Sequence, residues 1–139
     1  MIHRRSPKRQ KRSPEEMIRA NPLSIRKIKN PSEELQLLAV ELNSTVIGLI
    51  KDPSEKVQLA VLKRHPFAYN WLTNPSEEVQ LAAIKLNPTI INEIKNPSEE
   101  VQLIAVRHAG QLIRHADNPS REVQLAAVNR DGLAIKFIK

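Results

Sequence analysis

From Val79 to Leu86 the chain reads Val-Gln-Leu-Ala-Ala-Ile-Lys-Leu, with apolar side chains on too many sides for a helix with one buried face. With Val79 at 0° and about 100° per residue, Ala83 falls near ~40°, Ile84 near ~140° and Leu81 near ~200°. Such a helix needs neighbours on more than one side. Before it, Asn74-Pro75-Ser76-Glu77-Glu78 supplies a turn and then acidic residues suited to a helix's positive amino end. Two registers fit. Ser76 can cap the helix, or Asn74 can cap it with Pro75 at the first helical position and Glu77 closing a capping box. In either register the helix runs to about Leu86, where Asn87-Pro88 breaks it. A second, shorter apolar segment, Thr89 to Lys95, follows.

This pattern returns. "NPSEEVQ" occupies residues 74–80 and again 96–102, with "NPSEELQ" at 30, "DPSEKVQ" at 52 and "NPSREVQ" at 118, so every interval is 22 residues. A fixed period of this length marks a repeat architecture. The units are 30–51, 52–73, 74–95, 96–117 and 118–139, and their breaker position reads Ser44, Pro66, Pro88, Gly110, Gly132, all residues that end helices or make turns. Ser13 to Lys29 matches the second half of the unit, Asn21-Pro22 aligning with Asn87-Pro88, and reads as a charged half-repeat cap. Two helices of this size cannot bury their apolar faces alone, whereas stacked copies can. The expected fold is all-α: a right-handed α-solenoid of 22-residue helix-turn-helix repeats, five full ones plus the amino-terminal half-repeat, over residues 13–139.

Gln36, Gln58, Gln80, Gln102 and Gln124 recur inside the apolar arc. An unpaired buried amide costs about 1–3 kcal/mol, so each is expected to serve backbone groups of a turn between repeats.

The stretch Val123 to Ile138, "VQLAAVNRDGLAIKFI", resembles the short helical repeats of an uncharacterised bacterial, viral and protist family with an "AAV…NG…AL" signature. The "NPSEEVQLAA" half is similar to HEAT-like and leucine-rich-repeat-variant units. The glycine of the signature is met only at Gly110 and Gly132. What the resemblance implies is a superhelical binding scaffold without catalytic residues. The variant family's cysteine-rich metal cluster does not apply, since this chain has no cysteine.

Composition then narrows the chemistry. Aromatics are 3% of 139 residues, so the core must come from Leu, Ile, Val and Ala. The lack of cysteine removes disulfides, cysteine–zinc sites and thiol catalysis, and suits a reducing compartment. No apolar run approaches the ~18 residues of a membrane span, and the basic start has no apolar stretch after it, so the expected location is the cytoplasm with no membrane partner. His108 and His115 are seven apart but separated by Gly110, no HExxH-type motif occurs, and three scattered glycines build no phosphate loop. No metal, no cofactor and no enzymatic activity are expected.

Function in a repeat chain lives where the copies disagree. The sharpest disagreement is His65 to Trp71, "HPFAYNW", with three of the four aromatics. Tyr69 falls on a core position shared with Ile47, Ile91, Ile113 and Ile135. Phe67 replaces Thr or Gln, and Trp71 replaces Leu, Glu or His, so His65, Phe67 and Trp71 are the candidate protein-binding residues. Trp71 covering a groove of its own repeat is the bland alternative.

Charge offers a second candidate. The net charge is +7, but residues 1–29 hold ten Lys/Arg against two Glu, and the rest twelve against thirteen acids. Arg4, Arg5, Lys8, Arg9, Lys11 and Arg12, with His3, form a basic, flexible-looking arm over residues 1–12. One position per repeat adds Arg19, Lys63, Lys85 and Arg107, in a column that also holds Glu41 and Asn129. Together they could meet nucleic-acid phosphates, though aromatic interleaving and base-reading motifs are absent. Glu78 and Glu100 could instead neutralise Lys85 and Arg107 across repeats. Another protein is the expected partner; nucleic acid is the alternative.

Overall fold

The computed structural model describes residue 4 and residues 6–138. Among these residues every regular element is helical and no strand occurs. Long and short helices alternate. The α-helices are α1 (Pro14–Ala20), α2 (Glu33–Leu42), α3 (Glu55–Arg64), α4 (Glu77–Leu86), α5 (Glu99–His108) and α6 (Arg121–Arg130). The short elements are 3-10 helices: η1 (Pro22–Lys27), η2 (Ser44–Leu49), η3 (Ala68–Trp71), η4 (Pro88–Glu93), η5 (Gly110–His115) and η6 (Gly132–Phe137). The second segment of each unit is thus a tight 3-10 turn of six residues or fewer, too short to gain much from α-type bonding.

The ambiguous helix start resolves in favour of serine. Ser76 Oγ accepts from the Val79 N–H at 3.3 Å, and Ser32, Ser54, Ser98 and Ser120 do the same one period apart. The asparagine has another task. Asn30, Asp52, Asn74, Asn96 and Asn118 all adopt left-handed backbone, with φ between 47° and 51°. Asn and Asp tolerate this region better than other residues with a Cβ. They reverse the chain between units, and the proline that follows lies before the serine cap rather than in the first helical turn.

Each α-helix packs on the next and each 3-10 helix on the next, so the elements form two rows with the core between them. The α row contributes Val57, Val61, Leu62, Val79 and Ile84, and the 3-10 row contributes Val46, Ile47, Ile90 and Ile91, all buried. The glutamine Nε2 groups behave as their periodicity predicts, while the Oε1 atoms of Gln36, Gln58 and Gln102 are buried without a protein partner. Each Nε2 donates to the carbonyl of the turn proline five residues earlier: Gln36 to Pro31, Gln58 to Pro53, Gln80 to Pro75, Gln102 to Pro97 and Gln124 to Pro119, at 2.9–3.2 Å. Each amide thereby braces the turn that joins its unit to the one before.

Gly110 has a different reason from the one its breaker position suggests. Its φ is not positive. A Cβ there would lie 2.3 Å from the Ala127 carbonyl oxygen and 2.9 Å from the Asp131 Cβ, so glycine admits the next α-helix at close range. The same atom on Gly132 would meet nothing within 4 Å, because no unit follows it in this structure.

Candidate interaction surface

The 3-10 row carries the residues singled out by disagreement between repeats. Asn21, Asn43, Asn87 and Asp131 each cap their 3-10 helix, accepting from the N–H two residues on at 3.0–3.3 Å. His65 stands in this position in the second unit and makes no such bond. There η3 begins only at Ala68 and is four residues long. Ala109 lacks the cap too, yet η5 keeps six residues, so the missing cap alone does not shorten η3. The second difference is Phe67, whose backbone sits in the bridge region at φ −92°, ψ 1°. The junction is altered as well: η1, η2, η4 and η5 all pack on the α-helix of the following unit, and η3 does so least.

At this altered junction the aromatic side chains divide as expected. Tyr69 is buried, and burial pushes its phenol pKa up from the ordinary value. Phe67 is 80% exposed and Trp71 42% exposed. The Trp71 ring stands 5.8 Å from the His65 ring, tilted by 50°. Trp71 therefore leans on the exposed His65 ring of its own repeat and still leaves much of its surface to solvent.

Two grooves flank Tyr69. One of about 220 Å³ lies between Phe67, Tyr69 and Asn70 on one side and Thr89, Asn92 and Glu93 on the other. The second, of about 490 Å³, also touches Tyr69, Asn70 and Glu93 and continues to Asn74, Gln80 and Lys95. Asn70, Asn92 and Glu93 are exposed and polar, beside the exposed Phe67 ring. An apolar anchor bordered by amides and one carboxylate suits a polypeptide, whose backbone needs both donors and acceptors.

The basic candidates lie elsewhere. Lys63, Lys85 and Arg107 sit in the last turns of α3, α4 and α5, exposed, where cations complement the helix dipole. Among the described residues only two ion pairs form: Arg19 with Glu15 at 2.8 Å inside α1, and Lys56 with Glu33 at 3.5 Å between α3 and α2. The pairing of Glu78 and Glu100 with Lys85 and Arg107 does not occur, so those two cations remain available. Arg4, Lys8, Arg9, Lys11 and Arg12 are exposed, outside any helix; His3 and Arg5 lie outside the described residues. Among the described residues no cluster of three or more His, Asp or Glu is placed to hold a metal ion, and no helix is long and apolar enough to cross a membrane.

No family model, curated protein or solved structure matches this chain. Phe67 and Trp71 stand out in the sequence because aromatic rings replace Thr or Gln at one position and Leu, Glu or His at the other. Asn70, Asn92 and Glu93 do not stand out, and their only distinction is the groove they border.

Proposed function

We propose that the chain is a non-catalytic binding module that recognises another protein. Its units are read as a right-handed α-solenoid of five repeats with an amino-terminal half-repeat cap, acting as adaptor or inhibitor in the cytoplasm. His65, Phe67 and Trp71 are the anchors. The observation that carries this reading is the 80% exposure of Phe67 at the one junction where η3 is shortened, beside two polar-edged grooves. Exposed aromatic anchors bordered by satisfiable polar groups are the usual energetic centre of a protein interface. The test compares wild type with a Phe67→Ser, Trp71→Ser double variant in affinity capture followed by mass spectrometry. The reading expects a partner retained by wild type and lost by the variant at unchanged melting temperature. Equal capture by both would remove these residues from the interface.

A second reading is favoured by the unpaired state of Lys63, Lys85 and Arg107 together with the exposed basic arm. These residues would contact nucleic-acid phosphates without reading bases. Titrating RNA and DNA at two salt concentrations tests it. A surface making six or more phosphate contacts loses about a thousandfold in affinity between 50 and 200 mM salt. A chain trimmed to begin at Ser13 would lose most of that affinity with the arm.

A further inference from the structure

Gly48 is a glycine that its own repeat does not require. Its φ is not positive, and a Cβ added there would meet nothing within 4 Å. The same place in the other units holds Arg26, Asn70, Asn92, Arg114 and Lys136, all exposed, so the fold accepts a side chain there. Glycine in this place leaves bare backbone on the outer surface of η2, beside the exposed Leu49. Bare backbone of this kind is what lets another molecule approach closely.

The two neighbours of this patch are unlike. On one side η2 packs on η3, which presents the exposed Phe67 and Trp71 rings; on the other it packs on η1. A groove of about 550 Å³ lies between η1 and η2, and its charged lining is Arg26, Lys29 and Lys51 against Asp52 alone. The corresponding grooves further along are balanced: Lys95 faces Glu93 in one, and Arg114 faces Asp117 in the other. Lys27 adds a fourth exposed cation on η1. Among the described residues none of these four cations takes part in an ion pair.

We infer that the partner is held through an extended acidic polypeptide segment that crosses the 3-10 row here. Its large apolar side chain rests on Phe67 and Trp71, its backbone passes over Gly48, and its carboxylates meet Arg26, Lys29 and Lys51. The inference rests on the protein-recognition reading above and gives that partner a chemistry. Packed neighbouring helices lie about 8–10 Å apart and an extended chain advances about 3.3 Å per residue, so about three residues span one unit. From η3 to η1 is two units, which places the acids roughly six positions from the apolar anchor. A nucleic-acid strand fits the path less well. Its charge is continuous along the backbone, whereas the cations are confined to one end of the path and Asp52 and Glu93 border it. A peptide can carry its acidic and apolar groups at separate places and so match both ends.

The test selects a displayed library of random peptides, about twelve residues long, on the full chain, and then measures single enriched peptides by fluorescence anisotropy. The enriched peptides should carry acids about six positions from a large apolar residue, and should bind more weakly as salt rises. Gly48→Gln should weaken them at least about tenfold, while the melting temperature holds or rises because a side chain restricts the unfolded chain. An Arg26→Glu, Lys51→Glu double variant should weaken them at least about tenfold as well. Peptides without acids, or binding indifferent to Gly48→Gln or to the charge reversal, would overturn the inference. Loss of that binding in the Phe67→Ser, Trp71→Ser variant would then leave the protein-recognition reading standing. No enriched peptide at all, or binding indifferent to the loss of both aromatics, would remove that reading and the inference together. An oligothymidylate that binds more tightly than the peptides and displaces them would overturn the inference in favour of nucleic acid.

Discussion

The turn from His65 to Trp71 and its counterpart from Asn87 to Glu93 occupy the same place in successive repeats. Both bury one large side chain, Tyr69 and Ile91, into the same interior column. In the later turn Asn87 caps η4 through the Thr89 N–H at 3.3 Å and accepts from the Thr89 hydroxyl at 2.7 Å, and the outward residues are polar. In the earlier turn the cap is gone, η3 is short, and phenylalanine and tryptophan face outward. The interior column is what stacking demands of every copy. The outward positions are free to vary, and one copy has given up local bonding for an aromatic surface.

Four measurements test how far the two turns are alike. The largest effects belong to the shared interior: Tyr69→Ala and Ile91→Ala should each destabilise the chain by about 2–5 kcal/mol in chemical denaturation. If only one did so, the two turns would not share a column. Next, Gln80→Leu strands the Pro75 carbonyl that joins these two repeats and should cost about 1–3 kcal/mol. No loss of thermal stability would remove the bracing role of the glutamines. A reciprocal swap of the caps follows. Asn87→Ala should cost about 1 kcal/mol, while His65→Asn should raise the melting temperature by restoring a cap. Smallest is an alkaline effect. Burial holds the Tyr69 phenol neutral above its usual pKa of about 10, so its contribution is complete below that pH. As pH climbs further, the unfolded chain ionises first and stability falls. Urea midpoints from pH 9 to 11 should therefore drop more for wild type than for Tyr69→Phe.

Much of the scaffold was legible because its causes are local and periodic. The carboxyl ends of α2 and α4 follow from the Asn-Ser and Asn-Pro breaks after Leu42 and Leu86, and the glutamine contacts follow from a polar residue recurring in an apolar arc. The cap register was not legible, since Asn74 and Ser76 both satisfy the side-chain preference; the left-handed backbone of Asn74 decides it. The purpose of Gly110 was hidden for another reason. Only the approach of Ala127 and Asp131, seventeen and twenty-one residues later, shows why a Cβ is excluded. Of the candidate surface, the aromatic exceptions were readable as broken columns. The polar groove beside them depends on how neighbouring 3-10 turns meet, which no single repeat encodes.

Serial stacking is the claim beneath both the interior column and the outward exceptions. Inserting a second copy of residues 74–95 directly after residue 95 tests it most directly, with thermal unfolding followed by far-ultraviolet circular dichroism. In a one-dimensional stack an added internal repeat contributes its own stability and one more interface, so the extended chain should unfold cooperatively at a higher temperature than wild type. A lower melting temperature, or loss of the helical signal, would contradict the account.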